Sequence, residues 1–482
     1  MTLAQLAHGG RAPALPLSMH IDDRGELVVE QWLRVLPGQR YVGRARWNGR
    51  MVLAKLMVGG NAHRQYVRER DGAALLAGQG LPTPELLSEG WKANEGGWLL
   101  FDFLIDAQSL WSGWQALEQD PPLTEAQRAV LASALELIGR MHLRGLWQDD
   151  LHLDNLLMQA GVLHVVDGGG VRAQQPGQPL DRARALDNLS VFFAQLPASL
   201  DPFIEELLVN YLLVNSTHSL PMETLHLAIR KVRTWRMTDY LKKIGRDCSL
   251  FSAQVGGFGA RVVRREEAAS LQALLDDPDS FIATGQLYKG GGTATVARVE
   301  IDGNRSLLLK RYNIKSPVHW LKRFWRPSRA WHSWVEGNRL TFLGIATPRL
   351  LAVREQRWLW LRGRAWLVTE LLAGDDIISC FQPYLNSSPP EEQLLALEQL
   401  LQTLIRERIS HGDLKGHNLF WEQGRWTLID LDAVQQHRSA ASFARAYSRD
   451  RARLLRNWPA DSALYQLLDQ RLPAVPGIRT ED

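Results

Sequence analysis

The sequence predicts an α+β protein of two tandem units, each with a small β-sheet lobe followed by a larger helical lobe. Three observations support this fold class: a length of 482 residues, a polar motif that occurs once in each half, and β-prone segments that precede amphipathic helices in both halves. At about 100 to 200 residues per domain, this length suits two or three compact units. We place the boundary near residue 235, which gives units 1–235 and 236–482.

Composition excludes several classes of protein. Hydrophobic residues make up 45% and charged residues 22% of the chain, which excludes wholesale disorder. A net charge of +4 is too small to indicate a nucleic-acid partner. The two cysteines, Cys248 and Cys380, cannot supply a disulfide framework or a cysteine metal cage. The N-terminus has no secretory signal pattern and no run of 18 apolar residues occurs, so we expect a soluble, cytoplasmic protein.

One polar motif is present in both halves, as WQDDLHLDNLLMQAGVLHVVDGGG and as SHGDLKGHNLFWEQGRWTLIDLDA. In each copy, an asparagine follows the first aspartate by five residues, and a second aspartate follows that asparagine by twelve. The residues concerned are Asp150, Asn155 and Asp167 in the first half, and Asp413, Asn418 and Asp430 in the second. Because internal repeats indicate repeated structural units, we expect one copy of the same domain in each half.

The segments around the motif also correspond between the halves. Each half begins with β-prone segments that hold one lysine, Lys55 in MVLAKLM and Lys310 in SLLLKRY. The near-copies GLPTPELL and GIATPRLL follow, and then the strand-like segments WLLFDFL and AWLVTEL. An amphipathic helix precedes each motif, and a hairpin-like pair of short strands follows each asparagine. This order, strands first and helices afterwards, predicts the two lobes.

The residue types in the motif suit phosphoryl transfer, which needs positive charge at the phosphates, ligands for magnesium and a group that orients the attacking hydroxyl. Asp413 can orient a hydroxyl, and Asn418 and Asp430 can offer oxygen atoms to a hard cation. Each feature also has a structural interpretation, because Asp and Asn are common in turns and helix caps, a strand lysine is usually solvated, and a glycine triplet can be a flexible turn. The recurrence of the motif at equal spacing favours the functional interpretation.

HGDLKGHNLF followed by LIDLD resembles the catalytic and metal-binding segments of the protein-kinase-like superfamily. With RAWHSWVEGNRLTFLGIATPRLLAV, AWLVTELLAGDD and SRDRARLLRNW, the chain is most similar to the bacterial lipopolysaccharide kinases, which phosphorylate Kdo or inner-core heptose. The resemblance covers residues 236–460 well and is thinner over the first half. It implies two tandem protein-kinase-like domains, the first with degenerate motifs.

By position, the resemblance implies a role for each residue of a site that uses ATP and Mg²⁺. In the second half, Asp413 and Lys415 are the expected catalytic residues, with Lys415 near the γ-phosphate. The expected magnesium ligands are Asn418 and Asp430, and the expected ATP-binding residues are Gly290, Gly291, Gly292, Lys310, Glu336 as the partner of Lys310, and Glu370. In the first half, the expected set is Asp150 as catalytic residue, Asn155 and Asp167 as magnesium ligands, and Lys55 with Glu69 at the nucleotide.

The sequence departs from the superfamily pattern at several positions. Neither half has the glycine-rich G-x-G-x-x-G pattern. In the second half, Leu431 and Asp432 replace the usual Phe-Gly, and Asp432 could itself help to hold a cation. In the first half, Gln148 replaces the histidine and His152 replaces the second catalytic residue. These departures leave open whether the first domain is active, regulatory or inert.

A basic and aromatic segment, residues 315–334, has two interpretations. Between Arg305 and Arg339 there are nine Lys or Arg against one acidic residue, with interleaved aromatic residues that include Trp320, Phe324, Trp325, Trp331 and Trp334. The segment could contact an anionic membrane surface or a phosphorylated saccharide. It could equally be a partly packed helix hairpin with a solvated basic rim.

Together these features predict an ATP-dependent kinase of a lipopolysaccharide inner-core sugar, with heptose as the expected acceptor. The expected partner is the core oligosaccharide or a lipid-linked precursor, met at the cytoplasmic face of the inner membrane. Two alternatives stay open: a kinase of another small-molecule or protein acceptor, and a tandem pseudokinase scaffold in envelope assembly. The acceptor position and the oligomeric state are not predicted.

Overall fold

The structure is a computed structural model that describes residues 1–22, 25–117, 121–313, 327–359 and 361–475. The chain divides into two compact units, Met1–Thr234 and Trp235–Asp482. The division falls within one helix, Met222–Lys243. Each unit combines an antiparallel sheet with a helical part, which confirms the predicted α+β class.

The sheet of the first unit has six strands in the spatial order β1-β2-β3-β4-β6-β5. These strands are β1 (Leu17–Asp22), β2 (Gly25–Leu36), β3 (Arg40–Trp47), β4 (Arg50–Met57), β5 (Leu86–Lys92) and β6 (Gly96–Asp102). A short helix, α1 (Leu3–Leu6), precedes them, and α2 (Ala62–Gly78) connects β4 to β5 and packs on β6. Lys55 lies on β4, opposite Val42 of β3.

The helical part of the first unit follows in the chain, as predicted. Its helices are α3 (Leu110–Leu117), α4 (Glu125–Leu143), α5 (Arg182–Phe193), α6 (Ile204–Val214) and α7 (Met222–Lys243). Short strands carry the motif: β7 (Gln108–Ser109), β8 (Leu146–Gln148), β9 (Leu156–Gln159), β10 (Val162–Val165) and β11 (Val171–Ala173). A capping box between Thr124 and Gln127 begins α4, and its predicted apolar face, Leu131, Leu135 and Ile138, is buried in the core.

The sheet of the second unit has seven strands in the spatial order β12-β13-β17-β18-β16-β15-β14. These are β12 (Phe251–Gly256), β13 (Gly259–Arg264), β14 (Gln286–Lys289), β15 (Ala294–Ile301), β16 (Arg305–Tyr312), β17 (Leu350–Trp358) and β18 (Leu361–Glu370). The helices α8 (Gln272–Asp276) and α9 (Pro278–Thr284) precede β14, and α10 (Arg329–Phe342) packs on β17 and β18. Lys310 lies on β16, opposite Val296 of β15.

The helical part of the second unit contains α11 (Ile377–Phe381), α12 (Glu391–Glu407), α13 (Ala440–Leu455) and α14 (Ala463–Arg471). Its short strands are β19 (Ile409–Ser410), β20 (Leu419–Glu422), β21 (Arg425–Leu428) and β22 (Gln435–Gln436). The leucines that predict the amphipathic helix α12, Leu394, Leu397, Leu401 and Leu404, are all buried in one core. This helix ends at Arg408, whose backbone is left-handed, and the chain then enters the motif loop.

Candidate active site

In the second unit, the first motif aspartate lies in the loop between β19 and β20. The carboxylate of Asp413 contacts Arg453 of α13 and lies 3.3 Å from Nζ of Lys415. The Asp413 side chain is 34% exposed, so a ligand can reach it. Two cations beside one carboxylate give this position an excess of positive charge.

Buried hydrogen bonds fix the backbone of this loop. The backbone N–H groups of His411 and Gly412 donate to Oδ2 of Asp450 at 2.7 and 3.0 Å, and Asp450 is only 4% exposed. Burial lowers the pKa of His411, so the imidazole is neutral, and its Nε2 lies 2.9 Å from the carbonyl oxygen of Ile429. The loop is therefore tied both to α13 and to the residue that precedes the second motif aspartate.

The motif asparagine is also held by this loop. Nδ2 of Asn418 donates to the carbonyl oxygen of Asp413 at 2.9 Å, and Asn418 is 4% exposed. Because the amide nitrogen is used in this way, the amide oxygen is the atom that Asn418 can offer to a cation.

The second motif aspartate, Asp430, lies two residues after the end of β21 and has a left-handed backbone, with φ 60° and ψ 60°. Its Oδ1 lies 2.6 Å from Nζ of Lys310, and Oδ1 of Asp432 lies 2.9 Å from the same nitrogen. Burial opposes the charge of Lys310, but Tyr312 and the carboxylates of Asp432 and Asp430 outweigh it and raise the pKa of the lysine. Burial likewise opposes the charge of Asp430, and Lys310 prevails and lowers the pKa of that carboxyl. Both groups are charged at neutral pH.

Lys310 contacts Asp430 and Asp432, and the prediction that it contacts Glu336 is wrong. Glu336 lies on α10, but Oε2 of Glu336 accepts from Nε of Arg339 at 2.9 Å instead of contacting the lysine. α10 instead directs Ser333 at the cluster, and Oγ of Ser333 donates to Oδ1 of Asp432 at 2.9 Å. The carboxylate of Asp432 lies beside Lys310, and Glu336 pairs with Arg339 of its own helix.

The other residues expected at the nucleotide lie at two ends of the same sheet lobe. The three glycines form the turn between β14 and β15, and Gly291 and Gly292 have left-handed backbones, with φ 77° and 61°. A side chain there would be strained, so the turn requires glycine. Glu370 ends β18, and Oε1 lies 3.3 Å from NH1 of Arg349 and 3.8 Å from NH2 of Arg305.

In the first unit, the expected pairing of Lys55 with Glu69 is present. Nζ of Lys55 contacts Oε1 of Glu69 and lies 3.7 Å from Oδ1 of Asp167. Arg40 adds a second cation, 3.9 Å from a carboxylate oxygen of each acid. Burial raises the pKa of Glu69, and the charge of Lys55 opposes that effect. Two cations thus face two carboxylates, as a buried ionic cluster requires.

The motif loop of the first unit shares three features with that of the second. Nδ2 of Asn155 donates to the carbonyl oxygen of Asp150 at 2.8 Å, and Asp167 has a left-handed backbone, with φ 65° and ψ 66°. Gln148, which replaces the histidine, donates from Nε2 to the carbonyl oxygen of Val166 at 2.9 Å. The amide therefore makes the hydrogen bond that the neutral imidazole of His411 makes in the second unit.

The surroundings of the first motif aspartate differ between the units. The side chain of Asp150 is 71% exposed, and its carboxylate lies 3.0 Å from Nε2 of His152. No permanent cation corresponds to Lys415 in the first-unit sequence, because His152 stands at that position. A titratable histidine therefore takes the place of a permanently charged lysine beside the first motif aspartate.

Sequence reasoning did not assign several residues that the structure brings to these sites: Arg40, Tyr312, Ser333, Asp450 and Arg453. Asp450 and Arg453 lie in the quoted segment SRDRARLLRNW, where two residues three apart on one helix face are a weak signal. Their contacts with the loop span about 40 residues of chain, which no local pattern reveals.

The basic and aromatic segment lies largely outside the described residues. Of its described part, residues 327–334, the N-terminal turn of α10 is packed: Trp334 is fully buried and donates from Nε1 to the carbonyl oxygen of Ile244 at 2.9 Å. Trp331 packs against the same core. These two tryptophans support the packed interpretation. Residues 314–326 lie outside the described residues, so contact with a membrane or a saccharide stays a prediction.

The described parts of the chain contain neither a membrane-spanning helix nor a cluster of side chains that could hold a metal ion by itself. No helix there is long and apolar enough to cross a bilayer. Among the same residues, no group of three or more His, Cys, Asp or Glu side chains could hold a metal ion by itself. One carboxylate and one amide, as in Asp430 and Asn418, suit instead a magnesium ion that phosphate oxygens also bind.

Comparison with known proteins supports the resemblance in the second half. Residues 320–466 match the model of the lipopolysaccharide kinase (Kdo/WaaP) family, which confirms the recognition of that family and includes the whole second motif. No curated protein matches the chain. A solved structure described as WaaP in complex with acyl carrier protein is 16% identical, with 43% of this chain and 86% of that chain covered and a TM-score of 0.32. At that TM-score the likeness carries no weight for function.

Proposed function

We propose that the second unit is a Mg²⁺- and ATP-dependent kinase that phosphorylates a sugar hydroxyl of the lipopolysaccharide inner core. The observation that carries this proposal is the convergence of Lys310, Asp430, Asn418 and Asp413 within a unit whose residues 320–466 match a lipopolysaccharide kinase family. Membership of a kinase family implies a phosphotransferase that uses ATP, normally with Mg²⁺. Heptose, as the acceptor, is the finer part of the proposal.

The roles of the residues follow from their charge and placement. Asp413 would accept a hydrogen bond from the acceptor hydroxyl and take its proton as the oxygen attacks the γ-phosphorus of ATP, with ADP as the leaving group. Lys310 would hold phosphate oxygens, and Lys415, 3.3 Å from Asp413, would contact the γ-phosphate. The glycine turn would bring backbone N–H groups close to the phosphates.

The residues present fit a magnesium ion. Asp430 and Asn418 would hold it, and the ion would supply charge neutralisation at the phosphates. Lys310 contacts Oδ1 of Asp430 and Oδ1 of Asp432, so a cation held by Asp430 would share that carboxylate with the lysine.

We propose that the first unit is a second protein-kinase-like domain that arose with the other by tandem duplication. The shared motif spacing, the left-handed second aspartates and the equivalent hydrogen bonds of Gln148 and His411 support this. The Lys55–Glu69 contact supports retained nucleotide binding. The exposure of Asp150 and the loss of a lysine beside it favour a regulatory or scaffold role over turnover.

We further propose that the protein acts on core oligosaccharide or a lipid-linked precursor at the cytoplasmic face of the inner membrane. The excess of positive charge around Asp413 supports an anionic acceptor. A kinase of another small-molecule or protein acceptor is the alternative, because the same loop would orient any hydroxyl.

The test is phosphate transfer from γ-labelled ATP by the purified full chain. The acceptors are dephosphorylated core oligosaccharide, a panel of small alcohols and a generic protein substrate, each with and without Mg²⁺. Label in the core sugar that requires Mg²⁺ and Asp413 would support the proposal, and mass spectrometry of the product would identify the sugar. Equal transfer to the other acceptors would favour the alternative kinase, and absence of both transfer and nucleotide binding would favour a scaffold.

A further inference from the structure

Lys55 and Lys310, the two lysines of the repeated site, each contact two carboxylates. One of these carboxylates comes from the same motif position in both units, and the other comes from a different position. The shared partner is the second motif aspartate, Asp167 in one unit and Asp430 in the other. The other partner of Lys55 is Glu69 on α2. The other partner of Lys310 is Asp432, in the turn two residues after Asp430.

The residue in the turn also differs between the units. In the first unit, the position equivalent to Asp432 is Gly169, whose backbone N–H donates to Oε2 of Glu69 at 3.1 Å. A Cβ at Gly169 would lie 2.8 Å from that oxygen, so a side chain there would displace the carboxylate of Glu69 from its present position. Glycine in the turn therefore suits the glutamate from the helix.

The second unit has the reverse arrangement of large and small residues. The turn carries the acid, Asp432, and the helix offers a small buried residue, Ser333, which is 1% exposed. Oδ1 of Asp432 accepts from Nζ of Lys310, the hydroxyl of Tyr312 and Oγ of Ser333, at 2.9, 2.6 and 2.9 Å. Glu336, the glutamate of this helix, is held by Arg339.

We propose that Asp432 is the positioning residue for Lys310, and that it replaces the helix glutamate in holding the phosphate-binding lysine. This inference rests on the proposed kinase function of the second unit. A magnesium ion would take up the carboxylate of Asp430, and a largely buried lysine left without a carboxylate partner would destabilise the fold. Asp432 would then still hold Lys310.

The competing role for Asp432 is that of a metal ligand. Its Oδ1 already accepts from three donors, and its Oδ2 lies 3.8 Å from NH1 of Arg329. A carboxylate surrounded by donors and two cations is a poor site for a further cation. The geometry therefore favours an anchor for the lysine, and the two roles differ in what they predict for Mg²⁺ dependence.

The first experiment compares Asp432→Asn with Glu336→Gln in the full chain. We expect Asp432→Asn to raise the KM for ATP by about 10-fold or more, with the Mg²⁺ concentration for half-maximal rate unchanged, because one ionic contact of the nucleotide-binding lysine is lost. The effect of Glu336→Gln on the KM for ATP should be several-fold smaller. A larger effect from Glu336→Gln, or a raised Mg²⁺ requirement in Asp432→Asn, would overturn the proposal.

A rescue experiment separates positioning from general structure. Asp432→Gly removes the acid, and Ser333→Glu in the same chain restores a carboxylate from the helix, as in the first unit. We expect the double variant to regain most of the ATP affinity that Asp432→Gly loses. A double variant that folds, as judged by its thermal unfolding midpoint, but binds ATP no better than Asp432→Gly would contradict the relocation.

A third measurement needs no activity and decides the matter if the double variant fails to fold. Unfolding midpoints are measured for Lys310→Met, Asp432→Asn and their combination, and for the same cycle with Glu336→Gln. We expect non-additive shifts for Lys310 with Asp432 and additive shifts for Lys310 with Glu336. The opposite pattern would refute the anchor, whereas failure of the proposed kinase function would appear as wild-type protein without transfer but with this coupling intact.

Discussion

The first unit and the second unit give their motif loops the same backbone geometry but hold them with different side chains. Gln148 and His411 each donate a hydrogen bond to the carbonyl of the residue before the second motif aspartate, at 2.9 Å in both cases. Since His411 is neutral, the loop needs a neutral donor at this position and not an imidazole. The glutamine of the first unit is therefore not a sign of a collapsed site.

The units differ instead in the charge around the first motif aspartate. Asp413 lies between Arg453 and Lys415, whereas Nε2 of His152 lies 3.0 Å from the carboxylate of Asp150. Fixed cations stabilise phosphate oxygens at any physiological pH, and a half-exposed histidine does so only when it is protonated. Both loops share these backbone features, so the charge beside the first aspartate is what we expect to separate the two units in turnover.

The largest expected effect comes from the aspartates themselves. Asp413→Asn should lower the rate of phosphate transfer by about 100-fold or more, because a positioned proton acceptor is lost. The matched variant Asp150→Asn should lower it far less if turnover belongs to the second unit. Initial rates with core oligosaccharide measure both effects, and unchanged thermal unfolding midpoints would show that both variants fold. Equal losses would mean that the two units act together.

The next effect concerns the anchor of the second loop. Asp450→Ala removes the acceptor of the backbone N–H groups of His411 and Gly412. Leaving buried donors without a partner should lower the free energy of unfolding by about 2 kcal/mol and slow transfer as the loop loosens. Asp450→Asn, which retains an acceptor oxygen, is the control and should lose less. Urea unfolding followed by fluorescence provides the measurement.

A pH effect is expected from the buried histidine of the first unit. Burial lowers the pKa of His142 from 6.5 to about 4, so the unfolded state binds the extra proton in the interval between these values. Stability of the first unit should therefore be complete above about pH 6.5 and fall as the pH is lowered toward 4. His142→Gln should flatten this dependence. A pH series of thermal unfolding midpoints that is equally steep for the wild type and the variant would contradict this assignment.

The smallest expected effect comes from replacing the histidine of the second motif loop with the glutamine of the first. His411→Gln gives the second unit the residue type of Gln148. The free energy of unfolding should fall by under about 1 kcal/mol, because the hydrogen bond to the carbonyl of Ile429 is retained. Transfer activity should fall only a few-fold. His411→Ala, which leaves that carbonyl without its partner, is the contrasting variant. Loss of activity in both variants alike would show that the imidazole has a role beyond this hydrogen bond.

Much of the fold was predictable because the signals are local. Apolar spacing in α4 and α12 follows from helix geometry, and the buried faces found there agree with it. The order of strands before helices in each half predicts the two lobes, and the structure has both. The extra hairpin β12–β13 beside β17 was not predicted, because its pairing joins segments about 90 residues apart.

The candidate site was predictable in part for the same reason. The aspartate and the asparagine are five residues apart, so both lie in one loop. In both units the side chain of the asparagine donates to the backbone carbonyl of that aspartate. The partner of Lys310 was not predictable. Contacts from Lys310 to Asp430 and Asp432 cross 120 and 122 residues of chain, so candidates in the helix and in the turn fit the sequence equally well.

The amino-acid sequence alone determined that the chain holds two related motifs, that each has a lysine on an earlier strand, and that the second resembles a sugar kinase. Each of these depends on residue type and on short spacing. Tertiary structure decided which carboxylate holds each lysine, which helix anchors each loop and how much positive charge surrounds each aspartate. These contacts join residues far apart in the chain, so they depend on which helix face packs against the turn after β21 or β10, where Gly169 lies beside Glu69 and Ser333 lies beside Asp432.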